Sequence, residues 1–177
     1  MRFGIVGSSQ FPLKYLLSLK RLNPVAFAIR TSHEDINRWH RTLGCISYFL
    51  ISLHGVSYLN YYIQVGGLGH AFFRIVPVLG MLALFSMTLL NTTALSVIRQ
   101  YSYRIFFITH LLVALAMPPI IWFHVPYGRV FMAESLLVLV ADLAVRRFGI
   151  FTSSATIEIV PGTDLIEVVA KVPPKKL

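Results

Sequence analysis

The chain is poor in charge. Of its 177 residues only 13% are Asp, Glu, Lys or Arg, about half the share usual in a soluble domain. Acidic residues are scarcest: there are seven, against sixteen Lys plus Arg, for a formal net charge of +9. Apolar residues fill 56% of the sequence, which excludes a water-soluble globule and points to lipid as the solvent. Cysteine is nearly absent. The single Cys45 allows no intrachain disulfide and no cysteine-based metal site, so the redox compartment is not legible from it. A positive excess raises nucleic acid as a partner, but a chain spent mostly in apolar runs has too little polar surface for one. No nucleic acid is expected, and the bilayer is.

A membrane span needs about 20 mainly apolar residues, and five segments qualify, near residues 3–19, 39–63, 71–98, 103–124 and 130–145. The first is interrupted by Ser8, Ser9, Gln10, Pro12 and Lys14 and lacks the compact apolar region and cleavage site of a signal peptide. The expected fold is an all-α membrane protein, a multi-pass bundle of about five spans over residues 1–150. Lys20, Arg21, Arg30, Arg38, Arg41, Arg99, Arg104, Arg146 and Arg147 fall on one side of it, and Arg2, Arg74 and Arg129 on the other. Cytoplasmic loops collect Lys and Arg, so the first set and the C-terminus are expected inside. The charge excess is thereby read as topology. Residues 151–177 change character: apolar and polar residues alternate on either side of Pro161-Gly162, a hairpin signal. A lone hairpin is marginal in water, so this stretch reads as the opening of a cytosolic β-domain completed elsewhere.

Four of the six histidines lie on two expected spans, His40 and His54 on the second, His110 and His124 on the fourth. Each pair is 14 residues apart, which on a helix is about 21 Å along the axis and within about 40° of one face. Two imidazoles so far apart cannot share an ion, but they can serve two centres, one near each leaflet. With one crossing between them the two helices run parallel, which sets His40 level with His110 and His54 level with His124. Two facing imidazoles are the axial ligand set of six-coordinate haem iron. The reading is two stacked b-type haems, the inner iron on His40 and His110, the outer on His54 and His124. No Cys-x-x-Cys-His run is present for covalent attachment. The competing reading of such residues is interhelical hydrogen bonding, which two equally spaced pairs disfavour. His33 and His70 read as solvated loop residues.

Other residues fit around this constellation. Arg38 and Arg41 flank His40 and are candidates to pair with haem propionates through the guanidinium fork; topology alone also accounts for them. Arg129, five residues past His124, is the candidate for the outer propionates, with Arg74 second. Gly44, Ser47 and Gly55 would let a flat macrocycle approach a helix backbone. Phe49, Phe106 and Phe107 would fill space between haems or simply pack. Pro118-Pro119 is expected to kink the fourth span. Glu134 and Asp142 are expected to face the bundle rather than lipid, and the Asn91-Thr92-Thr93 acceptor sequence falls within a span, where it is inaccessible.

The runs Ile36-Asn-Arg-Trp-His-Arg-Thr-Leu-Gly44, Leu53-His-Gly-Val-Ser-Tyr58, Arg104-Ile-Phe-Phe-Ile-Thr-His-Leu-Leu112 and Trp122-Phe-His124 resemble the ferric reductase transmembrane domain, a superfamily of fungal ferric-chelate reductases and NADPH oxidases. The phrasing around His40 and His54 is closer to the fungal reductases. The resemblance covers residues 3–170. It implies a six-helix bundle with two haems, fed by a cytosolic FAD-binding β-barrel and an NADPH-binding domain. Electrons pass from NADPH through FAD and both haems to an external Fe(III) or Cu(II) chelate, and the membrane it implies is the plasma membrane. One helix before the first segment, the flavin motif and the nucleotide site are not in the sequence. The chain is therefore expected to be truncated before those domains, or served by a separate reductase. Residues 1–150 are the di-haem domain of this reading, and 151–177 an incomplete FAD-barrel start. Alternatives are an NADPH oxidase-type superoxide producer, a quinol-oxidising cytochrome b, and a channel or transporter subunit.

Overall fold

The computed structural model describes residues 2–20, 23–148, 155–159 and 166–170. The segment expected near residues 3–19 is two short helices, α1 (Arg2–Ser9) and α2 (Phe11–Leu17), broken at Gln10. Neither is long enough to cross a bilayer. They are followed by α3 (Pro24–Ala28), α4 (His33–Gln64), α5 (Leu68–Ala71), α6 (Ile75–Thr93), α7 (Ser96–Tyr101), α8 (Tyr103–His124) and α9 (Gly128–Phe148). Among the described residues three helices, α4, α6 and α8, are long and apolar enough to span. Five spans were expected. The first is interrupted at Gln10, and α9 carries Arg129, Glu134, Asp142, Arg146 and Arg147 along its 21 residues.

Local chemistry sets the ends of α4. Ser32 caps it by accepting the Asp35 N–H at 3.2 Å while its hydroxyl donates to the Asp35 carboxylate at 2.8 Å, a reciprocal cap. That cap, with Glu34 and Asp35 in the first turn, starts the helix six residues before the apolar run expected from position 39. At the other end Gly66 adopts φ 65° and Gly67 N–H donates back to the Tyr62 carbonyl at 3.0 Å, the left-handed closure that glycine permits.

The helices pack as a bundle in which α6 lies along α8, α1 along α4, and α4 also meets α6. Phe11, Ala83, Met87, Val113, Met117, Ile121 and Met132 form its buried core. Large apolar residues such as Phe85, Leu112 and Leu137 face outward, the inversion that lipid permits. Small residues set the closest approaches: a Cβ on Gly7 would sit 2.9 Å from Ile51, and one on Gly55 2.9 Å from Leu84. Gly55 therefore serves helix packing, not the approach of a macrocycle expected of it.

The proline pair does not break α8, which is continuous from Tyr103 to His124 through Pro118 and Pro119. Each proline removes the N–H that would bond the carbonyl four residues earlier, which strands Ala114 and Leu115. The Tyr15 hydroxyl of α2 donates to the Ala114 carbonyl. An aromatic residue from the broken first segment thus replaces the missing donor and ties α2 to α8.

The chain divides into two units, residues 1–143 and 144–177. In the second, β1 (Ala155–Ile159) pairs antiparallel with β2 (Ile166–Ala170), from Ala155 opposite Ala170 to Ile159 opposite Ile166. The expected hairpin is present; its Pro161-Gly162 turn lies outside the described residues, and two strands make no barrel.

Tyr15→Phe is expected to lower the detergent unfolding midpoint by the cost of one orphaned buried carbonyl, about 1–3 kcal/mol. In a Pro118→Ala background, where the helix regains its own donor, the same substitution should cost less than half as much.

Candidate functional site

The two long helices α4 and α8 carry the four histidines predicted from the sequence. His40 and His110 face each other, ring centroids 6.1 Å apart and planes inclined at 52°. His54 and His124 make no ring contact but lie within electrostatic range of each other. The helices therefore run in the same direction, with the histidines level in pairs. Each half-buried pair sits between α4 and α8, with a third helix alongside.

That third helix fixes one ring in each pair. His40 Nδ1 is 3.0 Å from the Lys14 carbonyl of α2, and His124 Nδ1 is 2.9 Å from the Val76 carbonyl of α6. A carbonyl can only accept, so Nδ1 carries the proton in both rings. Nε2 then keeps its lone pair, the arrangement that orients a histidine as a ligand. The Lys14 carbonyl, in the last turn of α2, also accepts the Ser18 N–H at 3.2 Å, so the imidazole uses its second lone pair. Asn23 Nδ2 takes the neighbouring Leu16 and Leu17 carbonyls at 3.2 and 3.4 Å.

The other two rings are placed by packing. Gly4 of α1 lies under His54, where a Cβ would sit 2.9 Å from the ring; Gly80 of α6 lies under His124, where it would sit 2.8 Å away. Tyr58 meets His54 edge-on at 4.8 Å and Phe106 lies 5.3 Å from His110. His110 Nδ1 is buried with no hydrogen-bond partner among the described residues. Beside Gly44, one turn beyond His40, a Cβ would meet nothing within 4 Å.

The flanking residues divide. On a helix Arg38 and Arg41 lie about 160° and 100° from His40; both are exposed, and Arg38 reaches Asp35 at 3.9 Å. Arg129 Nε donates to the Trp122 carbonyl at 3.1 Å, at the C-terminal end of α8. Arg74 is exposed at the start of α6. Ser47 is buried and donates to the Leu43 carbonyl at 2.8 Å, while Phe49 and Phe107 face outward. His33 opens α4 and His70 lies on α5, both exposed, as is Glu134. Among the described residues no group of three or more His, Cys, Asp or Glu side chains is arranged to hold a metal ion. Lys14 is the residue that sequence reasoning passed over. It registered only as an interruption of the first segment, although a lysine inside an apolar run is itself a functional signal.

A membrane-embedded helical bundle with two levels of paired histidines defines an integral membrane protein built around a half-buried imidazole array. Residues 3–121 match the family described as "Ferric reductase like transmembrane component", and the chain belongs to that family. It is 26% identical over 159 residues to "Ferric reductase transmembrane component 1" of Schizosaccharomyces pombe, covering 90% of this chain and 28% of that protein. To "Ferric/cupric reductase transmembrane component 2" of the same organism it is 24% identical over 147 residues, 83% of this chain and 26% of that protein. The chain thus spans about a quarter of the length of these relatives. No solved structure matches it.

Gly80→Val should push the His124 ring from the Val76 carbonyl and destabilise the bundle by about 1–3 kcal/mol, as overpacking does. A lowered detergent unfolding midpoint is the readout, with Gly69→Ala, where a Cβ meets nothing within 4 Å, as the unchanged control.

Proposed function

We propose that this chain is the electron-carrying membrane part of a metalloreductase. In this reading it holds two b-type haems, the inner on His40 and His110 and the outer on His54 and His124. The observation that carries it is the facing pair at 6.1 Å. Two imidazole–metal bonds of about 2 Å, with about 1.1 Å from each ring nitrogen to its centroid, require a separation of about 6 Å. The donor set agrees with this: His40 and His124 each have Nδ1 engaged by a carbonyl and Nε2 left as a ligand. The open space beside Gly44 also suits a flat metallated ring.

Haem iron, when bound, cycles between ferric and ferrous states and so supplies one-electron storage at each level. The chain's own residues supply the rest. The four imidazoles set coordination and spacing along the bilayer normal. The Lys14 and Val76 carbonyls hold two of them in one tautomer, and Gly4 and Gly80 set the reach of the rings on α4 and α8 toward the neighbouring helices. The apolar helices keep water from the path.

The direction follows from charge. Lys and Arg concentrated at the His40 end favour that end as cytosolic, so electrons from NADPH and FAD, on a reductase domain or a separate protein, would enter there. An external Fe(III) or Cu(II) chelate is the acceptor, in keeping with the names of the two relatives. The hairpin at residues 155–170 is then the start of the flavin barrel, and the plasma membrane the site.

Detergent-purified protein should show sharp reduced α and Soret bands at about two haems per chain. A colourless, correctly folded preparation after haem supplementation would overturn the reading. His40→Ala or His110→Ala should each remove one haem and leave the other; loss of neither means the pairing by level is wrong. Addition of a flavoreductase should give Fe(III)-chelate reduction, whereas reduction by quinol alone would assign the chain to the quinol cytochromes.

A further inference from the structure

Two observations on different atoms converge on Lys14. Its carbonyl receives the Nδ1–H of His40 at 3.0 Å. Its ammonium lies 4.4 Å from the centroid of the Phe11 ring and within electrostatic range of His40, His110 and Cys45. It makes no ion pair with any described residue. Arg38 and Arg41, the cations next to His40 in sequence, are exposed on other faces of α4. A lysine held among apolar helices with only an aromatic face as partner is costly, and such a charge is retained where a ligand supplies the anion.

We infer that Lys14 is the counter-cation of the inner haem: its ammonium receives a propionate carboxylate while its carbonyl orients the His40 ligand. The inference rests on the two-haem reading above. One residue therefore acts on the same centre through two groups, and substitution of the side chain removes only one. Reduction adds negative charge at the iron, and a nearby cation favours the reduced form. Lys14 is a positioning and tuning residue, and its effect is confined to the inner level because His54 and His124 lie about 21 Å further along the helices.

The test is a spectroscopic redox titration of the haem-loaded protein, with Lys14→Gln and Lys14→Arg beside the wild type. Lys14→Gln should lower the equilibrium constant for inner-haem reduction about tenfold, about 59 mV for a one-electron couple, and leave the outer haem in place. Lys14→Arg, which keeps the charge, should stay within about threefold. An unchanged inner midpoint in Lys14→Gln overturns the inference, as does an equal fall in both variants, which would track shape rather than charge. Infrared difference spectra with haem labelled with ¹³C at the propionates separate the two oxyanions available. Carboxylate bands that shift between wild type and Lys14→Gln support the assignment, and a change confined to lipid phosphate bands overturns it. A wild-type protein that binds no haem refutes the two-haem reading itself; a loaded protein with an indifferent Lys14 refutes only this inference.

Discussion

In a bilayer no carbonyl can be left to water, and this bundle is tied together by side chains that donate to backbone carbonyls of neighbouring segments. A soluble protein would solvate them, but hydrocarbon cannot. The proline pair in α8 and the last turn of α8 each leave a carbonyl without its helical N–H, and each is met by a side chain from another segment: Tyr15 takes Ala114, and Arg129 takes Trp122. His40 and His124 donate in the same way to the Lys14 carbonyl, which also accepts the Ser18 N–H, and to the Val76 carbonyl near the start of α6. Two of these four donors are the imidazoles of the candidate site. Structure and function therefore share the same hydrogen bonds.

This sharing explains why the broken first segment belongs to the site. As α1 and α2 it is too short to cross, yet α1 brings Gly4 under His54 and Gly7 against Ile51, and α2 brings Lys14 and Tyr15 against α4 and α8. The residues that weaken the segment as a span, Gln10 and Pro12 at the break and Lys14 beyond it, are those that let it serve as a scaffold for the histidines.

Much of this was legible in the sequence. The 14-residue spacing placed the histidines on single faces because α-helices have a fixed rise and turn, and α8 follows the apolar run at 103–124 to the residue. The hairpin at 155–170 followed from period-two alternation, which a strand imposes whatever it packs against. The family match over residues 3–121 includes the runs that carry His40, His54 and His110. Less legible were the number of spans and the roles of small residues. Mean apolarity does not reveal where a helix breaks, and Gly55 gave no sign that it meets Leu84 rather than a ligand. Arg38 and Arg41 are close to His40 in sequence, but residues one and two positions apart point to different faces of a helix.

The sequence by itself determined the solvent, the helical class and the periodic placement of His40, His54, His110 and His124, because each depends on local composition and on a repeat the backbone enforces. Only the tertiary structure decided which carbonyls the His40 and His124 imidazoles meet, that Tyr15 stands in for the N–H Pro118 lacks, and that Lys14 lies beside the inner pair. Those are contacts between segments far apart in the chain, some 26 residues from Lys14 to His40 and 99 from Tyr15 to Ala114. No local pattern encodes them, since they arise from the packing of one segment's side-chain donors against another segment's carbonyls.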